Sequence, residues 1–269
     1  MSRRQLEVHQ SVWRRKPELA TIYGVWFDSL LGRARPAARV LEIGAGPGLL
    51  ADHARSRRPD LRWIASDVVE TPWNSLVADA LRLPLRGGSV DAVMALDLIH
   101  HLARPAEFFE EAARVLGRDG LLCAIEPWIT PLSYPIYRWV HPEGCTLDLD
   151  PWDPFGVAES RKKEPLRGDN ACAWRLARTT EASRWHALGF EAPRITLFNG
   201  FAYLASLGFR KNSLLPGRFA APLLWLDQRS SRLARFLSMR ALLEWRRHPG
   251  ASGPGQGGSA GSRELAPER

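Results

Sequence analysis

Short apolar runs alternate with segments of helical periodicity from about residue 36 onwards. The runs ARVLEIG, LRWIASD, VDAVMAL and LLCAIEP are short and mostly aliphatic, which is typical of buried strands. Between them, GLLADHARSR and PAEFFEEAARVLGRDG have helical spacing, and the second has a proline near its start and glycines at its end. This order predicts an α/β, Rossmann-like, doubly wound fold, with a mostly parallel sheet and helices on both faces.

Ligands of such open sheets bind in the crevice at the carboxyl ends of the strands. The residues that follow the predicted strands should therefore face one common site. They are the loop 44–48, Asp67, Asp79, the pair 96–97 and Glu126.

Composition narrows the class of protein. The chain has 269 residues, of which 45% are hydrophobic and 25% charged, and this fits a soluble globular protein with one large domain. No apolar run approaches the roughly 18 residues of a transmembrane helix, and the N-terminus lacks the apolar segment of a signal peptide, so we expect a cytoplasmic protein. Three widely spaced cysteines without a CxxC pair fit neither a disulfide framework nor a structural zinc site.

The charge is unevenly distributed along the chain. The formal net charge is +8, with basic residues concentrated in residues 1–16 and 201–247 and a mildly acidic middle. This pattern favours an anionic surface or ligand at the flanks over a nucleic-acid groove through the centre.

The segment LEIGAGPGLL carries the clearest chemical signal. Gly44, Gly46 and Gly48 lie directly between a predicted strand and a predicted helix, where glycine permits a tight turn and a close ligand approach. Asp67 ends the next strand, where an acid can accept both ribose hydroxyls of a nucleotide. A nicotinamide or flavin protein would have G-x-G-x-x-G, whereas this loop has G-x-G-x-G followed by leucine.

This loop resembles motif I of class I S-adenosylmethionine-dependent methyltransferases. Further blocks of that family are similar to ADALRLPL, VDAVMALDLIHHL and FFEEAARVLGRDGLLCAIEP, so the resemblance covers roughly residues 40–127. The blocks are those of the small-molecule subfamily, methyltransferase type 11, which includes quinone and sterol methyltransferases. The resemblance implies a seven-stranded sheet, S-adenosyl-L-methionine as cofactor, and methyl transfer to an oxygen, nitrogen or carbon of a small molecule.

The same resemblance implies a set of cofactor-binding residues, with Asp79 at the adenine amino group and Ala80 in the adenine pocket. The set is Glu42, Gly44, Ala45, Gly46, Gly48, Asp67, Val68, Asp79, Ala80 and Leu96. Two members have alternatives. Glu42 either approaches the methionine moiety or is a buried structural acid, and Asp67 is either the ribose acceptor or a helix N-cap.

Three residues are candidates for catalysis. His100 and His101 follow the predicted strand VDAVMAL, and Glu126 ends the next one. A histidine there can act as a general base, although one of two adjacent histidines usually points into packing. Asp97 is a rival for contact with the acceptor.

No metal site is expected. Glu143, Asp148, Asp150 and Asp153 form an acidic group, but their spacing matches no calcium-binding loop and prolines interrupt it.

The chain divides into six segments by pattern and composition. They are an N-terminal helical lid (1–35), the cofactor-binding half (36–127), a substrate-cap insertion (128–180), a closing helix and strands (181–210), a basic C-terminal helical extension (211–248) and a disordered tail (249–269). The insertion, which contains Trp128 and His141, either covers the cleft and lines the substrate pocket or is a rigid surface excursion.

The two flanks also have alternatives. Trp13, Tyr23 and Trp26 either close over the cofactor, where an aromatic ring suits a sulfonium cation, or pack on the core. Residues 226–247 have the pattern of a basic amphipathic helix, which either contacts an anionic membrane peripherally or packs on the domain.

These patterns favour methyl transfer to a small-molecule acceptor. The basic flanks and the aromatic cap favour an amphiphilic acceptor, such as a lipid, quinone or glycoconjugate precursor. Two alternatives stay open. A non-catalytic scaffold that binds S-adenosylmethionine would keep the fold without turnover. An RNA or DNA methyltransferase fits the basic charge, but the D/N-P-P-Y/F block of amino-methylating enzymes is replaced here by DLIH at residues 97–100. No nucleic-acid partner is therefore expected.

Overall fold

A seven-stranded sheet forms the centre of the computed structural model, which describes residues 2–153 and 168–248. The sheet order is β3-β2-β1-β4-β5-β7-β6, in which β7 runs antiparallel to both of its neighbours and the other pairs are parallel. The strands are β1 (Arg39–Ile43), β2 (Arg62–Asp67), β3 (Leu76–Val77), β4 (Val90–Leu96), β5 (Leu116–Pro127), β6 (Arg194–Asn199) and β7 (Ser238–Arg246). The predicted Rossmann-like, mostly parallel, seven-stranded sheet is confirmed.

Helices connect the strands and cover the sheet. They are α1 (Arg3–Arg15), α2 (Pro17–Leu31), α3 (Leu49–Arg57), α4 (Pro105–Val115), α5 (Ser133–Trp139), α6 (Cys172–Ala177), α7 (Ala182–Ala187), α8 (Phe201–Ser206), α9 (Ala220–Arg229) and α10 (Ala234–Leu237). Short 3-10 turns lie at Ile99–His101, Gly217–Phe219 and Ser231–Leu233. Within the described ranges, no helix is both long and apolar enough to cross a bilayer.

Two apolar layers hold the helices on the sheet. On one face, Phe109 of α4 stands edge-on to Trp185 of α7 and Trp245 of β7, with ring centroids 5.2 and 5.0 Å apart. On the other face, Tyr23 and Trp26 of α2 are each 3% exposed and contact one another at 4.7 Å. These two aromatic residues thus pack on the core, which is the second of the alternatives for the N-terminal region.

The strand order places the expected crevice beside β1. Because β1 pairs with β2 on one side and with β4 on the other, the direction of winding reverses at β1. Such a switch point opens a crevice at the carboxyl ends of the two inner strands. The loop 44–48 leaves β1 at this point.

The prediction of a helix through residues 226–247 is wrong for its second half. The prediction that the extension over 211–248 is helical throughout is wrong for the same reason. Residues 238–246 form β7, which lies between β5 and β6. A strand buried on both faces has a nearly continuous apolar sequence rather than a strict alternation, and ALLEW therefore reads equally well as part of an amphipathic helix. In consequence, segment 181–210 supplies only one strand, β6, and the last strand comes from the predicted extension.

The other segment boundaries stay predictions. The substrate-cap insertion at 128–180 contains α5 and α6, but residues 154–167 within it lie outside the described residues. The tail at 249–269 also lies outside them.

Candidate functional site

The glycine loop adopts backbone angles that other residues rarely reach. Gly44, Gly46 and Gly48 have φ of +70°, +52° and +78°. A Cβ on Gly44 would meet the side chain of Leu98 at 2.9 Å, and one on Gly48 would meet the ring of Trp73 at 2.6 Å. Glycine is therefore required at both ends of the loop, for its conformation and for the close approach of these side chains.

Asp67 ties the glycine loop to the end of β2. Its Oδ2 accepts a hydrogen bond from the Gly46 N–H at 2.9 Å, and its Oδ1 accepts one from the Val69 N–H at 2.9 Å. Residues 68–89 are all described and contain no helix, so the N-cap alternative is wrong. A carboxylate has about four acceptor positions, and Asp67 thus retains capacity for further donors.

Two other elements lie over the glycine loop. The indole Nε1 of Trp73 donates to the Gly46 carbonyl at 2.7 Å, and Gln10 Nε2 of α1 donates to the Pro47 carbonyl at 2.9 Å. Leu6, also on α1, is 2% exposed and is the nearest side chain to the position of a Cβ on Gly46, at 3.9 Å. The N-terminal helix and the β2–β3 connection therefore form the cover of the loop.

Glu42 is buried beneath the loop. Its carboxylate accepts a hydrogen bond from Trp63 Nε1 at 2.8 Å and is 3% exposed. Burial raises the pKa of Glu42 to about 8, against a smaller opposing effect of the Trp63 hydrogen bond. Trp63 thus gives Glu42 the hydrogen-bond partner that a buried structural acid needs. A contact of Glu42 with the cofactor stays a prediction.

We expect Glu42 to make folding stability depend on pH. Its folded pKa of about 8 lies above the ordinary value of 4.5, so the folded protein keeps a proton that the unfolded chain loses. This contribution is complete below about pH 4.5 and is lost as the pH rises towards 8. In urea denaturation, the free energy of unfolding of wild type should be higher at pH 5.5 than at pH 8, by about 3 kcal/mol more than in Glu42→Gln. Glu107→Gln, which alters an exposed acid on α4, should behave as wild type, and an unchanged pH dependence in Glu42→Gln would contradict the expectation.

The remaining predicted cofactor residues lie around the same edge of the sheet. Asp79 is exposed and accepts from the Leu81 N–H at 2.9 Å, whereas Ala80 is 4% exposed and packs in the core with Leu41. Val68 is 64% exposed. Ala45, which follows β1, and Leu96, at the end of β4, complete the set.

Glu126 and His100 form a buried pair at the carboxyl ends of β4 and β5. His100 Nδ1 lies 2.5 Å from Glu126 Oε2, and the two side chains are 3% and 0% exposed. Glu126 Oε1 also accepts from the N–H groups of Leu98 and Ile99, at 2.9 and 2.6 Å. Burial by itself would lower the pKa of His100, but the carboxylates of Glu126 and Glu143 outweigh it and raise that pKa to about 9.

Glu143 brings the predicted insertion to this pair. Its two carboxylate oxygens lie 3.5 Å from His100 Nε2 and 3.4 Å from His101 Nε2. Burial would raise the pKa of Glu143, but the hydrogen bond and charge of His100 and the charges of His101 and His141 lower it to about 2. The sequence-predicted residues His100, His101 and Glu126 are thus brought together, and Glu143 joins them.

A buried arginine of β7 reaches the residue that follows β4, and the sequence pattern does not predict it. Arg240 of β7 is 5% exposed and forms an ion pair with Asp97, the residue after β4. Its Nη2 donates to the Tyr203 hydroxyl at 3.0 Å, and its guanidinium lies 4.9 Å from the Tyr203 ring centroid and 5.3 Å from that of Trp26. The carboxyl edge of the sheet therefore holds a desolvated cation in an aromatic setting.

Comparisons with known proteins identify a domain. Residues 41–124 match the family model described as "Methyltransferase domain". Over 97 residues the chain is 32% identical to tRNA (carboxymethyluridine(34)-5-O)-methyltransferase of Mus musculus. This match covers 35% of this chain and 14% of that protein. It is also 34% identical over 97 residues to malonyl-[acyl-carrier protein] O-methyltransferase of Geobacter sulfurreducens. That match covers 31% of this chain and 36% of that protein.

A solved structure shares the fold. The crystal structure of geranyl diphosphate C-methyltransferase from Streptomyces coelicolor, in complex with S-adenosyl-L-homocysteine, superposes with a TM-score of 0.51 at 16% sequence identity. The match covers 89% of this chain and 85% of that one. The chain covers less than two fifths of the length of each of the two curated relatives.

Proposed function

We propose that this chain, which has the fold of class I S-adenosylmethionine-dependent methyltransferases and carries their methyltransferase domain at residues 41–124, is itself an enzyme of that class. The proposed reaction is methyl transfer from S-adenosyl-L-methionine to a small-molecule acceptor. The observation that carries this proposal is the geometry of the glycine loop with Asp67, described above.

The residues of the loop fit the cofactor. Among the described residues, only a backbone oxygen and the end of the Leu6 side chain lie within 4 Å of a would-be Cβ on Gly46, so a ligand can approach its backbone. Asp67 is held by two backbone N–H groups and still has acceptor capacity for the ribose hydroxyls. S-adenosylmethionine supplies an activated methyl group when bound. The loop and Asp67 then hold it in a fixed direction for in-line transfer.

The acceptor side of the proposed site consists of the residues after β4 and β5. Glu126 and His100 are too buried to meet an acceptor and would act by positioning His101, which is 28% exposed. Asp97 and Arg240 would line the same edge. Neither the tRNA enzyme nor the acyl-carrier-protein enzyme fixes the acceptor, since each match is limited to about a third of this chain.

A direct experiment tests the activity. Calorimetry with S-adenosylmethionine and S-adenosylhomocysteine should give one site per chain with micromolar affinity. Incubation with methyl-labelled S-adenosylmethionine and a panel of small amphiphilic acceptors should then release S-adenosylhomocysteine. Absence of cofactor binding would overturn the proposal, and binding without turnover on any acceptor would favour the non-catalytic scaffold.

Trp73 provides an optical signal for cofactor binding. Because its indole lies on Gly48 and donates to the Gly46 carbonyl, a cofactor seated on the loop must change the surroundings of this ring. We expect S-adenosylhomocysteine to change the tryptophan fluorescence of wild type and to change that of Trp73→Phe by less than half as much. Trp139→Phe, which alters an indole that is 73% exposed on α5, should keep the full signal. An equal signal in Trp73→Phe would contradict the placement of the cofactor.

An amphiphilic acceptor is supported by the exposed apolar segment, which we define as residues 214–236. Seven of its large apolar side chains are 38–62% exposed. Several aromatic rings among them have an arginine over the ring, as Trp225 has Arg229 and Phe236 has Arg235. Its one acidic residue, Asp227, is 8% exposed and accepts from backbone N–H groups of α8. The exposed side chains are Leu214, Leu215, Phe219, Trp225, Leu226, Leu233 and Phe236.

We propose that this segment contacts an anionic lipid surface peripherally, because basic and apolar side chains alternate there. Wild type should cosediment with phosphatidylserine-containing vesicles and not with pure phosphatidylcholine. The double variant Trp225→Ala/Phe236→Ala should bind at least tenfold more weakly, whereas Val77→Ala on the opposite edge strand should bind as wild type. Undiminished binding of the double variant would refute the contact. Deletion of residues 226–247 is not a usable test, because it removes β7.

A further inference from the structure

Two histidines that follow β4 lie close to a carboxylate from the segment that follows β5. The ligand-type atoms of His100, His101 and Glu143 all lie within 4.8 Å of one another. His100 Nε2 and His101 Nε2 are 3.5 and 3.4 Å from separate oxygens of Glu143. The three residues come from two distant parts of the chain, so their spacing in the sequence does not indicate that they meet.

These separations suit ligands around one small ion. In a tetrahedral zinc site with bonds of roughly 2.0–2.1 Å, neighbouring ligand atoms are about 3.3 Å apart. Both histidine–carboxylate distances are within a few tenths of an ångström of that value. Because the two distances end on different oxygens of Glu143, a rotation of this carboxylate would bring its oxygens and both imidazoles onto one ion.

The surroundings of His100 resemble the outer shell of a metal site. Its Nδ1 lies 2.5 Å from Glu126 Oε2, and Glu126 is in turn held by backbone N–H groups. A metal-bound histidine almost always donates its second ring N–H to a carboxylate or carbonyl, which fixes the ring and the tautomer. Glu126 gives His100 this partner and leaves Nε2 directed to Glu143.

Charge and the neighbouring histidine define the ligand set further. With neutral imidazoles, Glu126 and Glu143 give the cluster two negative charges, which match a divalent cation. His141 Nδ1 is 3.7 Å from Glu143, but it already lies 3.3 Å from the Glu143 N–H and from Asn170 Nδ2. His141 is therefore outside the ligand set, which among the described residues consists of His100, His101 and Glu143.

We propose that His100, His101 and Glu143 form a binding site for a divalent transition-metal ion of the zinc type, with Glu126 as its outer carboxylate. The expectation of no metal site rested on an acidic group that shares only Glu143 with this set. The metal site does not depend on the proposed function. If that function holds, an ion bound there would lie beside the residues that follow β4 and could polarise an acceptor oxygen.

Metal binding by the full-length chain tests the proposal. After equilibrium dialysis against zinc, wild type should retain one ion per chain, and cobalt should give the visible absorption of a tetrahedral site. His101→Ala and Glu143→Gln should each weaken zinc binding at least tenfold. The matched control is His53→Ala, which removes a histidine of α3 whose Nε2 lies 2.7 Å from Asp28 of α2.

Each outcome of these binding measurements either supports or overturns the metal site. Retention of one ion in His53→Ala with loss in His101→Ala or in Glu143→Gln supports the site, and circular dichroism shows whether each variant is folded. No zinc on wild type, or equal retention in both cluster variants, overturns it. Calorimetry with S-adenosylhomocysteine on the same samples separates this result from a failure of the proposed function, because cofactor binding does not require the metal.

Discussion

Asp67→Ala is expected to weaken S-adenosylhomocysteine binding about 100-fold, which corresponds to about 3 kcal/mol. The substitution removes the acceptor for the ribose hydroxyls and also releases the Gly46 N–H, which Asp67 holds at 2.9 Å. Loss of a hydrogen-bonded charged group in a partly buried site is generally worth a few kcal/mol. Calorimetry on wild type and variant measures the change directly.

The control for Asp67 is another loop carboxylate of the same kind. Asp60 precedes β2, accepts from the Ala37 N–H at 3.1 Å and pairs with Arg58 on the surface. Asp60→Ala should therefore leave the dissociation constant within twofold of wild type. Equal weakening by the two substitutions would mean that Asp67 acts through general stability, and unchanged binding in Asp67→Ala would remove it from the cofactor site.

Glu126→Ala is expected to lower the free energy of unfolding by about 3–5 kcal/mol. The carboxylate is 0% exposed and holds the N–H groups of Leu98 and Ile99 as well as the His100 ring. Its removal leaves these donors buried without an acceptor, and unpaired buried donors cost more than the hydrogen bonds themselves contribute. Urea denaturation followed by circular dichroism measures the loss.

Glu244→Ala is the matched control for Glu126. Glu244 lies on the neighbouring strand β7 and pairs with Arg33, whose side chain is 32% exposed, so its loss should cost less than about 1 kcal/mol. Glu126→Gln should fall between the two, because an amide keeps one acceptor oxygen. If Glu126→Ala costs no more than Glu244→Ala, the carboxylate does not organise the loop after β4.

Much of the fold was predictable from the sequence because it depends on local pattern. The aliphatic runs and the glycines after β1 specify strand–loop–helix units one at a time, and Asp67 could be assigned from its place at a strand end. The pairing of β7 with β5, by contrast, joins segments that are distant in the sequence. β7 was missed because a strand buried on both faces lacks the alternation that distinguishes a strand from a buried helix.

The missed site residues follow from the same limit. By pattern, Arg240 belongs to the predicted basic amphipathic helix, and its pairing with Asp97 depends on β7 lying beside β5. By spacing, Glu143 belongs with the acids close to it in sequence, whereas in the structure it lies next to His100 and His101. Trp73 had no sequence signal at all, because its contact with Gly46 depends on the path of the β2–β3 connection.

The insertion of β7 between β5 and β6 also constrains the order of assembly. Among the described strands, β6 precedes β7 in the chain but is joined to the sheet by pairing with β7, so a nascent chain that has reached β6 cannot yet add that strand. Until β7 emerges, β5 presents an unpaired, apolar edge of the kind that recruits chaperones or aggregates. The Asp97–Arg240 pair then forms in the same event that closes the sheet. Ribosome-bound intermediates should consequently lack an organised acceptor side while already containing the glycine loop.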